Sequence, residues 1–104
     1  MFKKLGSLKS AAGVTETLYT APSSKGVVCN LIMANSDSTS SDTINVFLSG
    51  SGEATSLPKN LIMNSDIDSK GLVQLTGLAL SDGDYIEVES TNGDVVFTLT
   101  GQED

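Results

Sequence analysis

The stretch from Asp84 to Gly101, DYIEVESTNGDVVFTLTG, decides the fold class. Tyr85-Ile86-Glu87-Val88-Glu89-Ser90 alternates with period two, so Ile86 and Val88 share one face and Glu87 and Glu89 the other. Asp94 to Gly101 repeats the pattern, with Val95, Phe97 and Leu99 on one face. Between them stands Asn92-Gly93, whose residues both tolerate the positive φ of a type I′ turn. The reading is a β-hairpin with an apolar face inward and an acidic, solvated face outward.

The same chemistry recurs upstream. Thr43 to Leu48 places Ile44, Val46 and Leu48 on one face, and Val14 to Thr20 alternates imperfectly before the Ala21–Gly26 turn. Gly26 to Ala34 (GVVCNLIMA) is a near-continuous apolar run, which predicts a central strand buried on both sides. Leu72 to Thr76 predicts another strand, followed by Leu78-Ala79-Leu80 and the Ser81-Asp82-Gly83-Asp84 turn. Polar loops are expected at 35–42 and 49–56, and Asn64 to Gly71 reads as a turn after Pro58 and a short apolar piece, Leu61-Ile62-Met63. Strands spaced in this way with turn residues between them predict an all-β sandwich or barrel.

The chain has 104 residues, enough for one domain with a modest core. It carries 15 Ser and 10 Thr, which suit exposed strands and turns. Its 6 basic residues are all Lys and stand against 13 Asp and Glu, giving a net charge of −7. The absence of His rules out a histidine base, a Ser-His-Asp triad and an imidazole metal site. The absence of Arg, with a net negative charge, argues against nucleic-acid binding. One cysteine, Cys29, excludes an intrachain disulfide and reads as a small buried hydrophobe. No apolar run is long enough to span a membrane, and Gly6, Ser7, Lys9 and Ser10 interrupt any secretion-signal core, so synthesis in a reducing cytoplasm is expected.

Charge is uneven along the chain. The first 25 residues hold four lysines and one glutamate, and residues 81–104 hold seven carboxylates and no lysine. Residues 1–12 (MFKKLGSLKSAA) read as a basic, apolar N-terminal arm, with residues 13–104 as the single sandwich domain. The Phe2, Leu5 and Leu8 spacing fits either a short amphipathic turn or an extended arm with three anchors.

Candidate chemistry is sparse. Asp82 and Asp84, in one turn, are a candidate cation site, weighed against ordinary Asx-turn capping. Glu87 and Glu89 read as a solvated face rather than an acid/base pair. The Ser49-Gly50-Ser51-Gly52 loop lacks the lysine and strand–helix context of a phosphate loop. No enzyme signature emerges, no cofactor is expected, and the chain reads as a structural or binding module.

Three segments carry a resemblance. Thr17-Leu18-Tyr19-Thr20-Ala21-Pro22, the Val27–Asn35 strand ending in Ala34-Asn35, and Leu80-Ser81-Asp82-Gly83-Asp84-Tyr85-Ile86-Glu87-Val88 resemble motifs of small β-sandwich virion proteins of tailed bacteriophages. The likeness spans residues 14–101; Ser23-Ser24-Lys25-Gly26 departs from the family's usual P-A-G-K turn. It implies an all-β, jelly-roll-like antiparallel β-sandwich of about eight short strands, acting as a capsid decoration (cement) protein. Such a protein would be a homotrimer on the outer capsid surface of the virion, bound to the major capsid protein, after assembly in the host cytoplasm. The arm residues Phe2, Lys3, Lys4, Leu5, Leu8 and Lys9 would then contact the capsid or a sister subunit. A neck, tail or fibre-base accessory protein, or a glycan-binding adhesion module of the virion, is the alternative.

Overall fold

The computed structural model describes residues 2–50 and 60–103; the expected loop beyond Gly50, and Pro58, lie outside the described residues. Eight strands form: β1 (Lys3–Lys9), β2 (Glu16–Thr20), β3 (Val27–Asn35), β4 (Asp42–Ser49), β5 (Asn60–Ile67), β6 (Leu72–Leu80), β7 (Tyr85–Ser90) and β8 (Val95–Glu103). They make two four-stranded antiparallel sheets, in the orders β1-β8-β3-β6 and β2-β7-β4-β5. Four ladders are nested: β4 with β5, β3 with β6, β2 with β7 and β1 with β8. The chain is thus one long hairpin with β4 and β5 at its tip, wound so that β3–β8 and β4–β7 ladders complete the sheets. This is the eight-stranded jelly roll.

The inward rows of the two sheets make the core. Cys29, Leu31 and Met33 of β3 and Val95, Phe97 and Leu99 of β8 face Ile44 and Val46 of β4 and Ile86 and Val88 of β7, all fully buried. Each such side chain contributes about 1.5–3 kcal/mol through burial. The alternation read in β7 and β8 is the one observed; in β4 Ile44 and Val46 face the core and Leu48 packs half-buried against it as read, but Asn45 and Phe47 on the other side are buried as well. Cys29 is a free, buried thiol whose burial raises its pKa.

Several expectations are corrected. The Asn92-Gly93 segment does not close a hairpin: β7 and β8 lie in different sheets. Of its two residues only Gly93 takes positive φ, at 76°, so the type I′ geometry is not formed. β3 is central, but its outer residues Ile32 and Ala34 are half-buried and Val28 is 49% exposed, so only one side is covered. β5 continues through the segment read as a turn to Ile67, because Ser65 and Asp66 point to solvent from an edge strand while Ile67 returns to the core. Residues 3–9 are placed in the first sheet as β1, hydrogen-bonded along β8.

Two polar devices hold the corners between sheets. At one end the buried Asp42 accepts from the backbone N–H of Asn92 (2.9 Å, Oδ1) and of Asp94 (3.1 Å, Oδ2), while Thr91 N–H donates to the Thr43 carbonyl. The β7–β8 corner is therefore folded around a carboxylate at the start of β4. At the other end Leu80 is buried, Gly83 takes φ 78°, and Asp84 Oδ2 accepts from Ser81 N–H at 3.0 Å. Asp42→Ala leaves two part-buried donors without their charged acceptor and should lower unfolding free energy by about 2 kcal/mol in urea denaturation. Asp42→Asn, which keeps one acceptor, should fall between the two.

Candidate functional site

The six residues expected to contact a partner all lie at or beside β1, on the edge of the first sheet. Leu5 and Leu8 are turned to the interior and pack, half-buried, against the core. Lys3 pairs with Glu103 Oε1 at 3.4 Å. Phe2 (55% exposed), Lys4 and Lys9 face solvent. Lysines along an open edge also discourage strand addition by another chain.

Lys3 belongs to a latch that joins the sheets. Tyr19 of β2 donates its hydroxyl to Glu103 Oε2 of β8, whose other oxygen meets Lys3. Burial, and then the adjacent Glu103 carboxylate, push the Tyr19 phenol above its usual range. The Tyr19 hydrogen bond, and then Lys3, hold Glu103 below the usual carboxylate range. No sequence pattern linked these residues, because 84 positions separate Tyr19 from Glu103.

The Asp82 and Asp84 carboxylates are both used by backbone. Asp82 Oδ1 accepts from Ser24 N–H at 3.1 Å, and Asp84 Oδ2 accepts from the N–H and hydroxyl of Ser81. Among the described residues no group of three or more Cys, Asp or Glu is placed to hold a metal ion. At the opposite end Asp37 accepts from Thr39 and Ser40 N–H, which lowers its pKa. Asn35, buried, donates to the carbonyls of Ser40 and Ile67. Asn35 and Asp42 are structural residues that polarity alone did not flag.

The feature that stands out is the distribution of charge between the sheets. β1, β8, β3 and β6 together contain three lysines and one carboxylate, the terminal Glu103. β2, β7, β4 and β5 contain five carboxylates and no lysine. Register assigns the sides. Lys4 lies opposite Thr100 and Lys9 opposite Val96, in the outward rows that continue to Asn30 and Ala34 of β3. A Ser7–Thr98 hydroxyl contact at 3.3 Å lies in the row between. On the other sheet Glu87 accepts from Thr17, Glu89 from Asn45, and Asp66 from Thr43, so those carboxylates share its outer face. Among the described strand residues, one outer face therefore carries lysine, Thr, Val, Ile and Leu without a carboxylate, and the opposite face carries Glu87, Glu89 and Asp66.

No protein-family model matches the sequence, and comparison with curated proteins gives no match. Among solved structures the chain is similar to one in the acidic stable capsid structure of Helicobacter pylori bacteriophage KHP30. The identity is 19% and the TM-score 0.52, over 99% of this chain and 92% of that one. It is also similar to a chain in the crystal structure of the infectious bursal disease virus VP2 subviral particle, at 15% identity and TM-score 0.50. That match takes in 97% of this chain and 30% of the other. At identities this low the likeness is one of fold alone.

The latch gives a pH dependence of defined sign. Because the folded state lowers the Glu103 pKa, its stabilisation is present above the ordinary carboxylate range and is lost as pH falls through the folded value. Below about pH 5 the melting temperature of the wild type should therefore fall more than that of Glu103→Gln, with Tyr19→Phe intermediate. Tyr19 has the opposite window: its raised pKa stabilises the fold up to about pH 10, and that contribution is lost at higher pH. Tyr19→Phe should lack this alkaline loss in the same thermal melts.

Proposed function

We propose that this chain is a non-enzymatic structural protein of a bacteriophage virion, and that it serves as a capsid decoration (cement) protein. The observation that carries the reading is the end-to-end match between this jelly roll and a chain of a phage capsid structure, which leaves almost none of either chain over. The fold alone does not decide the matter, since jelly rolls also serve as lectins and cupins. The sequence adds the absence of the residue types that most hydrolases and metal enzymes use.

In this reading the protein binds the outer surface of the major capsid protein and bridges neighbouring subunits. Association as a homotrimer multiplies individually weak contacts by raising the effective concentration of each. β1 and the residue before it contribute Lys4, Lys9 and Phe2 as exposed contact residues, while Leu5 and Leu8 fix the strand to the body. The acidic outer face of the second sheet stays in solvent and repels other particles and nucleic acid.

Particles assembled without the protein should release their DNA at a lower temperature than complete ones, and adding the purified protein back should restore the difference. Quantitative protein counting on intact virions should find hundreds of copies. A dozen or fewer would move the protein to the neck or tail.

A further inference from the structure

We propose that the outer face of the β1-β8-β3-β6 sheet is the docking face, and that its occupant is a carboxylate-bearing surface of the shell protein. This rests on the reading of the chain as a capsid decoration protein and names the side it uses. Three observations converge on it.

The first is the sorting of charge. Of 13 carboxylates in the chain, only Glu103 falls in these four strands, and it is engaged at the rim with Tyr19 and Lys3. Edge protection accounts for lysines on β1. It does not account for the lack of carboxylates in the outward rows of β3 and β8, which are the central strands. A sheet face meant only for water has no reason to exclude acid from its middle in a chain of charge −7.

The second is apolar exposure. Val28 is 49% exposed and Leu72 61% exposed, and Ile32 and Val96 stand half-buried between them on the same face. With threonines interleaved, the surface combines apolar contact with hydroxyl donors, and lysine sits at one border. That is the make-up of an interface with a neutral centre and a charged rim.

The third is area. Four strands spaced about 4.8 Å apart and seven to nine residues long present roughly 500 Å². Contact with a partner of equal footprint would bury about 1,000 Å² in total, the lower bound for a specific interface. One such contact is weak, and the multivalency of an oligomer on a repeating shell is what makes it hold.

Competing occupants fit less well. A second copy would have to offer its own acidic face, which lies on the opposite side of the sandwich. Contacts on opposite faces propagate as an open stack rather than closing. Nucleic acid would meet two outward lysines and no arginine.

The test is rebinding to particles assembled without the protein, measured as occupancy against added protein at low and high salt. Four forms are compared: wild type, Lys4→Glu/Lys9→Glu, Val28→Glu, and Glu87→Gln/Glu89→Gln as a control on the other face. All substituted positions are exposed or half-buried, and thermal melts verify that each form folds. Expected are wild-type binding that weakens with salt, about tenfold weaker binding of the lysine reversal and of Val28→Glu, and an unchanged control. Wild-type binding with full binding of both first-face variants overturns the face assignment while leaving the proposed function standing. Failure of wild type to bind overturns both. Salt-sensitive stacking of free wild-type protein, abolished by Val28→Glu while particle binding persists, assigns the face to a second copy and overturns the shell as occupant.

Discussion

The structure depends on the closure of two sheets over one shared apolar layer. Phe97, Leu31 and Leu99 from one sheet and Ile44, Ile86 and Val88 from the other are fully buried only because both sheets are present. Neither sheet hides its inner row alone. Nested pairing of a wound hairpin supplies both sheets from one chain, and its cost is that every connection except the one at the tip must cross between layers. Crossings leave backbone donors that no ladder satisfies. Asp42 and Asp84 accept from such donors, and Asn35 accepts from Asp37 N–H while it donates to the carbonyls of Ser40 and Ile67, which explains why Asp42 and Asn35 are buried at corners.

Winding also rearranges the charge. Along the sequence, lysine clusters at the start and carboxylate at the end. In space the division runs between the sheets, because the chain visits them in turn: β1, β3, β6 and β8 in one, β2, β4, β5 and β7 in the other. Glu87 and Glu89 come late in the chain, yet they share their outer face with Asp66 of β5. Val28 and Thr98, far apart in sequence, lie on the face that contains Lys4 and Lys9. The acidic tail and basic head seen in the linear chain are projections of a sandwich in which, among the described strand residues, the outward carboxylates lie on one sheet and the outward lysines on the other.

Which residues are legible in sequence follows from what alternation reports. Period two reveals that β4, β7 and β8 are strands and which of their side chains face inward, and burial of Ile44, Ile86, Val88, Phe97 and Leu99 agrees. The Leu80–Asp84 turn is equally legible, since its residues act locally. Alternation is silent about partners. Asn92-Gly93 looks like a hairpin because its own turn chemistry is favourable, and the carboxylate that redirects it sits 50 positions away at Asp42. The apolar run of β3 looks doubly buried because an exposed apolar face and a core face have the same composition, as Val28 and Cys29 show. β1 looks detached because its pairing with β8 joins opposite ends of the chain. The exposed candidate residues Phe2, Lys4 and Lys9 are visible in the sequence as a basic, apolar cluster, but the face beside them is not.

A sandwich whose described outward strand residues are free of carboxylate on one sheet and acidic on the other is suited to lie on a surface and show its acidic side to water. Hydroxyl-radical footprinting of the protein on intact virions, compared with the free protein, tests that orientation directly. Oxidation of Val28, Ile32 and Leu72 should fall strongly in the particle, while Thr43 and Tyr85 on the second sheet react as in the free protein. Protection of the second sheet with Val28 and Leu72 unchanged would contradict the account.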